Sequence, residues 1–211
     1  MRYITLVALF LLGHFASYAQ ASNDNTTDSL SMAQKDSLKI AALFAKAYYP
    51  LIKDSKWSGV LPVETITEKP DPTITYKLLM EDIFPIKDSL SAKDINGGLA
   101  EIARIINLHV ASGIPKNKLD VVVVVHGQAL YALYTHSSYQ KKYGINNPNI
   151  AMLDQLIKNG VRFIACGQAM QFFDVQKQDL DPRVRVSLTA QTVLSHYQLK
   201  GYVLFPITPE K

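Results

Sequence analysis

The chain has 211 residues, of which 48% are hydrophobic and 19% are charged, and its formal net charge is +4. This composition is typical of a globular domain with an extension and argues against a disordered or fibrous chain. Apart from the pair Lys141 and Lys142, the basic residues are scattered singly, so the sequence lacks the basic stripe with interleaved aromatic residues that would predict a nucleic-acid partner.

The N-terminus has the pattern of a secretory signal peptide. Arg2 supplies a positive charge, the apolar run 4–12 follows, and the small residues Ser17 and Ala19 occupy the positions that a signal peptidase reads. The apolar run is too short to span a bilayer. We therefore expect residues 1–19 to be removed after Ala19, leaving a periplasmic or secreted protein without a membrane span.

An extension precedes the main domain. Residues 20–30 are small and polar, which predicts a disordered leader, and the apolar spacing over 31–49 predicts a helix. Pro50 ends that helix, and the prolines and glycine of 50–72 indicate an irregular linking arm. We expect the apolar stripe of the helix to be buried, because an amphipathic helix needs a surface to pack on.

From residue 73 onwards, strand and helix patterns alternate. The run 119–125 contains five consecutive valines, which is typical of a strand buried on both faces in a parallel sheet. Alternation of this kind predicts an α/β three-layer sandwich, with a mainly parallel five-stranded sheet and helices on both faces. The predicted strands are 73–80, 119–125, 161–165, 183–188 and 201–205. The predicted helices are 96–112, 129–139, 149–159, a short one after Gly167, and 189–199.

Cys166, the only cysteine, follows a predicted strand and precedes Gly167 and Gln168, where a helical pattern begins. Ligands in open α/β sheets collect at that edge, and a helix N-terminus favours the thiolate form of a cysteine. A lone cysteine is also commonly a small packing residue of the core. Both a reactive and a structural Cys166 therefore stay open.

A second strand ends in the same way. Val125 is followed by His126, Gly127 and Gln128, and the carboxyl ends of parallel strands share one rim of the sheet. His126 is thus a candidate to stabilise a thiolate or a bound sulfur anion at Cys166, and the alternative is a histidine that satisfies a loop hydrogen bond. Cysteine-based hydrolysis would also need an orienting group such as Asn107 or Gln168, but no cysteine-protease signature surrounds Cys166.

Other chemistries find no support in the residue spacing. Cys166, His126, His136 and His196 do not have the spacing of a metal site, and the sequence contains no nucleotide-binding glycine motif. We therefore expect neither a metal nor another cofactor.

Several segments carry a resemblance to a known family. They are Arg104 with the four residues after it, the valine-rich strand into His126 and Gly127, 147–149, the turn from Gly160 into Cys166–Gln168, 188–192, and 198–202. From about Tyr76 to the end, the chain resembles the DsrE/DsrF-like sulfur-relay family, and within it the exported branch. The arm before residue 73 is additional to this pattern. We accordingly expect a DsrE-like domain over 73–211, preceded by the extension over 20–72.

The resemblance implies a small α/β fold that assembles into homotrimers or homohexamers. It also implies that Cys166 carries a persulfide, as a sulfurtransferase or sulfur carrier, and passes it to a thiol or sulfur-carrier protein. We expect the residues that line this site to be His126, Gly127, Gly167, Gln168 and Asn107, with the backbone N–H groups of Gly167 and Gln168 holding the terminal sulfur. The alternative is a non-catalytic binding or assembly module in which Cys166 is structural.

Overall fold

The computed structural model of the chain describes residues 31–209. The five strands are β1 (Tyr76–Asp82), β2 (Leu119–Val125), β3 (Arg162–Cys166), β4 (Arg185–Ser187) and β5 (Val203–Ile207). The α-helices are α1 (Met32–Phe44), α2 (Gly97–Ala111), α3 (His136–Tyr143), α4 (Ile150–Lys158), α5 (Gly167–Phe172) and α6 (Ala190–Leu199). The strands form one parallel sheet in the order β4-β3-β2-β1-β5, which confirms the predicted α/β fold with a parallel five-stranded sheet.

The two faces of the sheet bury separate sets of side chains, because successive residues of a strand point to opposite faces. One set, which we call the main core, contains Leu78 and Met80 of β1 and packs against α2 and α4. The other set, the second core, contains Leu79 of β1 and packs against α6. Helices therefore cover both faces, as the valine-rich β2 predicted.

Both predicted boundaries of the first strand are wrong. The first strand begins at Tyr76 rather than residue 73, because Thr73 is held in a turn by Asp71, which accepts from its backbone N–H at 2.8 Å. The strand also continues to Asp82, two residues beyond its predicted end.

The predicted helix 129–139 is interrupted. It is divided into a 3-10 segment, Gly127–Leu133, and the helix α3, because Tyr134 is extended and forms an antiparallel bridge with Leu180. Thr135 then begins α3 by accepting a hydrogen bond from the backbone N–H of Ser138.

The last two strands are also displaced from their predictions. β4 spans only Arg185–Ser187, because Arg183 donates its backbone N–H to Asp181 in a turn. β5 begins at Val203, because Gly201 is part of the turn that ends α6 and has a φ of 81°.

The N-terminal helix differs from expectation in its end, which lies at Phe44 rather than at residue 49, and in its packing. α1 begins at a capping box formed by Ser31 and Gln34, but none of its residues is buried. Leu38, Ile40 and Leu43 are all exposed, so the expectation that its apolar stripe is buried is wrong for the described chain.

The linking arm, by contrast, packs tightly. Ile52 is fully buried in the main core. Asn107 of α2 clasps the arm: its Oδ1 accepts from the backbone N–H groups of Leu51 and Ile52, and its Nδ2 donates to the carbonyls of Ile52 and Ser58. Trp57 is exposed and touches Phe44 edge-on, with the ring centroids 4.8 Å apart. The arm is thus anchored by Ile52 and Asn107.

Between residues 31 and 209, no helix is long and apolar enough to cross a membrane. The predicted signal peptide (1–19) and leader (20–30) lie outside the described residues. They stay predictions, as does the domain boundary at residue 73.

Candidate functional site

Cys166 is the last residue of β3 and directly precedes α5, as predicted. Its side chain belongs to the second core and is 5% exposed. The Sγ atom accepts a hydrogen bond at 3.2 Å from the backbone N–H of Ala190, the first residue of the ten-residue helix α6. Because that N–H group lies at the positive end of the α6 dipole, it stabilises negative charge on the sulfur.

Gly167 permits this arrangement. A Cβ atom at Gly167 would lie 2.6 Å from the carbonyl oxygen of Ser187, so a larger residue would push β4 away. The missing side chain lets the beginning of α5 approach the end of β4, which in turn brings the beginning of α6 towards Cys166.

His126 lies beside Cys166 on the neighbouring strand. Val125 pairs with Ala165, so His126 follows β2 at the level at which Cys166 ends β3. His126 is still extended, with a φ of −147°, and Val124 two residues earlier packs in the second core. Alternation therefore places the His126 side chain on the same face of the sheet as Cys166.

Glu81 completes this rim of the sheet and was missed in the sequence. Its Oε1 lies 2.9 Å from His126 Nε2, and the two side chains are 27% and 30% exposed. Glu81 shares its face with Leu79, a member of the second core. The signal was present, because the end of a parallel strand belongs to the ligand edge. It was overlooked because the first strand was predicted to end at Met80.

Two predicted binding roles are wrong. The backbone N–H of Gln168 donates to the carbonyl of Leu188 at 3.1 Å, so it is not available to hold a sulfur anion, and its side chain is exposed. Asn107 is fully buried, uses both ends of its amide on the arm, and lies on the helix that covers the other face of the sheet. The N–H group that reaches the sulfur instead belongs to Ala190.

Gly127 follows His126 with a φ of 64° and begins the 3-10 segment. This left-handed conformation suits glycine and turns the chain sharply away from the rim. Its predicted role in binding stays a prediction. Within residues 31–209, no three His, Cys, Asp or Glu side chains cluster in a way that could hold a metal ion.

The sequence matches the model of one known protein family. The model of the DsrE/DsrF-like family matches residues 89–206, which is more than half of the chain. The chain belongs to the DsrE/DsrF-like family. Membership associates it with sulfur-relay-related functions in general, and the match includes both His126 and Cys166.

Among solved structures, this DsrE-like chain is similar to the protein of unknown function MTH1491 from Methanobacterium thermoautotrophicum. The two are 19% identical with a TM-score of 0.44, and the similarity covers 62% of this chain and 98% of that chain. No curated protein matches the chain.

The chemistry open to this DsrE-like site follows from the groups at its rim. Cys166 offers a thiol whose sulfur accepts a hydrogen bond from a helix N–H group. His126 Nε2 is hydrogen-bonded to Glu81 Oε1. For Nδ1 of His126, no hydrogen-bond partner is found within residues 31–209. If Nε2 carries the proton that Glu81 accepts, Nδ1 is left with a lone pair that can accept another proton. The site thus combines a thiol with a base on the same face.

Proposed function

We propose that the protein is an exported sulfur carrier in which Cys166 takes up a sulfane sulfur as a persulfide and passes it to a thiol acceptor. The observation that carries this proposal is the 3.2 Å hydrogen bond from the Ala190 N–H to Cys166 Sγ, at the start of α6. The family's general association with sulfur relay supports it. A persulfide keeps a negative charge next to the same sulfur, so the same helix end stabilises the loaded form.

The uptake step needs no external oxidant. The Cys166 thiolate attacks the sulfane sulfur of a donor persulfide, R–S–SH, so that a new S–S bond forms as the donor's S–S bond breaks and R–S⁻ leaves. Delivery is the same reaction in reverse sense: an acceptor thiolate attacks the outer sulfur and Cys166 leaves as the thiolate. In each step one sulfane sulfur atom passes to the attacking thiolate, and the electron pair of the broken S–S bond leaves with the displaced thiolate.

His126 takes the proton of the Cys166 thiol before the attack. Glu81 holds the imidazole through Nε2, which leaves Nδ1 as the acceptor. Glu81 acts here as a positioning residue, because it touches the histidine and not the sulfur.

Export, the partner and the assembly complete the proposal. The signal-peptide pattern of residues 1–19 supports a periplasmic or secreted location after cleavage near Ala19. The partner is a protein or small molecule that bears a thiol. A homotrimer or homohexamer rests on the family resemblance.

A second function is favoured by a specific observation. Cys166 is only 5% exposed and packs among Leu79, Val124 and Ile164 in the second core. A structural thiol would have the same surroundings, and the protein would then be a binding or assembly module without sulfur chemistry.

Alkylation of the native protein separates the two functions. Because Cys166 is the only cysteine, iodoacetamide labelling measured by intact mass reports on this thiol alone, and Cys166→Ser supplies the background. We expect labelling of the folded protein, and slower labelling in His126→Ala. A thiol that reacts only in denaturant would reject the sulfur-carrier proposal and leave the structural function.

A further inference from the structure

An arginine-lined groove lies at the other end of the strands from Cys166. It encloses about 240 Å³ beside the first residues of β3 and β4. Its lining consists of Ile157, Gly160, Val161, Arg162, Phe163, Arg183 and Arg185. Three of these residues are arginines and none is acidic. Two of the arginines pair with carboxylates, so the charge left to attract an anion is that of the third, Arg185.

The guanidinium groups of Arg162 and Arg183 are each fixed by hydrogen bonds to neighbouring side chains. Arg162 Nη2 donates to Asp120 and, at 2.9 Å, to the hydroxyl of Tyr202. These contacts occupy one terminal nitrogen and fix the plane of the group. A fixed guanidinium loses little conformational freedom when its remaining N–H groups bind a ligand.

Arg183 is held in the same manner. Its Nε donates to Asp181 at 2.8 Å, and its Nη2 lies 2.5 Å from Asp154. For both arginines, no partner of Nη1 is found within residues 31–209.

Arg185 supplies the charge that is not compensated. It is exposed at the start of the edge strand β4, and it forms no ion pair with any residue in the described range 31–209. The adjoining groove, which shares Gly160, adds Lys116 and Lys158 and again has no acidic lining residue. The positive potential is therefore centred on Arg185 and extends along this end of the sheet.

We propose that this groove binds a small ligand that carries a tetrahedral oxyanion, a phosphate or a sulfate group. Arg185 binds the anion directly, and the Nη1 group of Arg183 adds a second contact. Arginine suits such anions because its planar fork donates two parallel hydrogen bonds. The groove exceeds the volume of a bare phosphate or sulfate ion, so it leaves room for a small organic substituent. This site is independent of Cys166 and of the proposed function.

Calorimetric titration of the full mature chain tests the site. Inorganic phosphate, inorganic sulfate and phenyl phosphate are titrated at constant ionic strength, with acetate as a planar anion for comparison. We expect saturable binding of a tetrahedral anion, which Arg185→Gln weakens by roughly tenfold, as expected for a lost charge-assisted hydrogen bond. The matched control Lys158→Gln removes a charge from the adjoining groove and should change the affinity by less than about twofold.

The outcomes separate clearly. Binding of phosphate alone, of sulfate alone or of both supports the site and identifies the ligand's group, and tighter binding of phenyl phosphate indicates an organic substituent. Absence of saturable binding, equal binding of acetate, or equal weakening by the two substitutions would overturn the proposal. Arg185 is exposed, so Arg185→Gln should fold, and its thermal unfolding serves as the check.

Discussion

At the residue scale, Cys166 has a hydrogen bond that a plain packing residue lacks. Its buried sulfur accepts the hydrogen bond that the backbone N–H of Ala190 donates. A substitution at this position therefore changes both the packing of the second core and the satisfaction of a helix end.

Replacing Cys166 by serine or by alanine distinguishes these effects. Serine keeps an acceptor for the Ala190 N–H, so we expect Cys166→Ser to lower the free energy of unfolding by under about 1 kcal/mol. Cys166→Ala removes the acceptor and should cost at least as much as serine. Chemical denaturation of both variants gives the comparison, and a serine variant clearly less stable than alanine would show that packing alone governs the site.

Asp82, the last residue of β1, is a buried acid outside the proposed chemistry. Its Oδ1 accepts from the backbone N–H of Phe84 at 2.9 Å, whereas Oδ2 is buried without a hydrogen-bond partner among residues 31–209. α2 packs directly on it, since a Cβ atom at Gly98 would lie 2.2 Å from Oδ1. Burial raises the pKa of Asp82 from 3.8 to about 7, because the charged form is poorly solvated.

This pKa makes stability depend on pH. In the folded protein Asp82 stays protonated up to about pH 7, whereas in the unfolded chain it ionises near pH 3.8. Its contribution to stability is thus fully present below pH 3.8 and is lost as the pH rises to about 7. Asp82→Asn matches the shape of the protonated acid and removes this titration.

We expect the free energy of unfolding of the wild type, relative to Asp82→Asn, to fall by roughly 1 kcal/mol per pH unit over that window. Chemical denaturation of both proteins at a series of pH values measures the difference. Parallel stability curves would show that Asp82 titrates as an ordinary exposed acid.

At the element scale, the extension has two parts that differ in packing. α1 buries none of its residues, whereas the arm places Ile52 in the main core and is clasped by Asn107. The arm lies outside the family match over 89–206, yet it shares the core of the matched domain.

Two shortened chains test this difference. A chain that begins at Phe44 loses α1 except its last residue, and its free energy of unfolding should change by less than about 0.5 kcal/mol. A chain that begins at Leu61 also loses Ile52 and the partners of Asn107, and should be destabilised by at least about 2 kcal/mol. Thermal and chemical unfolding measure both, and a large loss in the first chain would show that α1 packs on the domain.

The edges of the sheet are protected by sequence as well. In β5, Ile207 faces β1, since its carbonyl accepts from the N–H of Ile83, and alternation turns Pro206 outwards. A proline there presents no N–H group to a further strand, which hinders unwanted edge pairing. The opposite edge strand, β4, is only three residues long.

At the scale of the whole molecule, the strands and helices with a periodic apolar pattern could be predicted from the sequence. The valines of β2 and the apolar spacing of α2 and α4 predicted the parallel sheet and its helices. A continuous apolar run indicates a strand buried on both faces, and helical apolar spacing indicates a helix buried on one face. The strand end at Cys166 could be predicted for the same reason.

Contacts between distant residues could not be predicted. Asn107 was assigned to a pocket, but its partner Ile52 lies 55 positions away in an irregular arm that has no periodic signal. Glu81 lies 45 positions from His126, and only strand register brings the two together. The break at Tyr134 likewise depends on a bridge to Leu180.

The central claim is that Cys166 carries sulfane sulfur, and intact-mass spectrometry after polysulfide treatment tests it most directly. The wild-type mature chain should gain the mass of one sulfur atom, and a low-molecular-weight thiol acceptor should remove it. Cys166→Ser should gain nothing, and His126→Ala should load more slowly. A wild-type chain that stays unmodified in its folded state, or a Cys166→Ser variant that loads equally, would contradict the account.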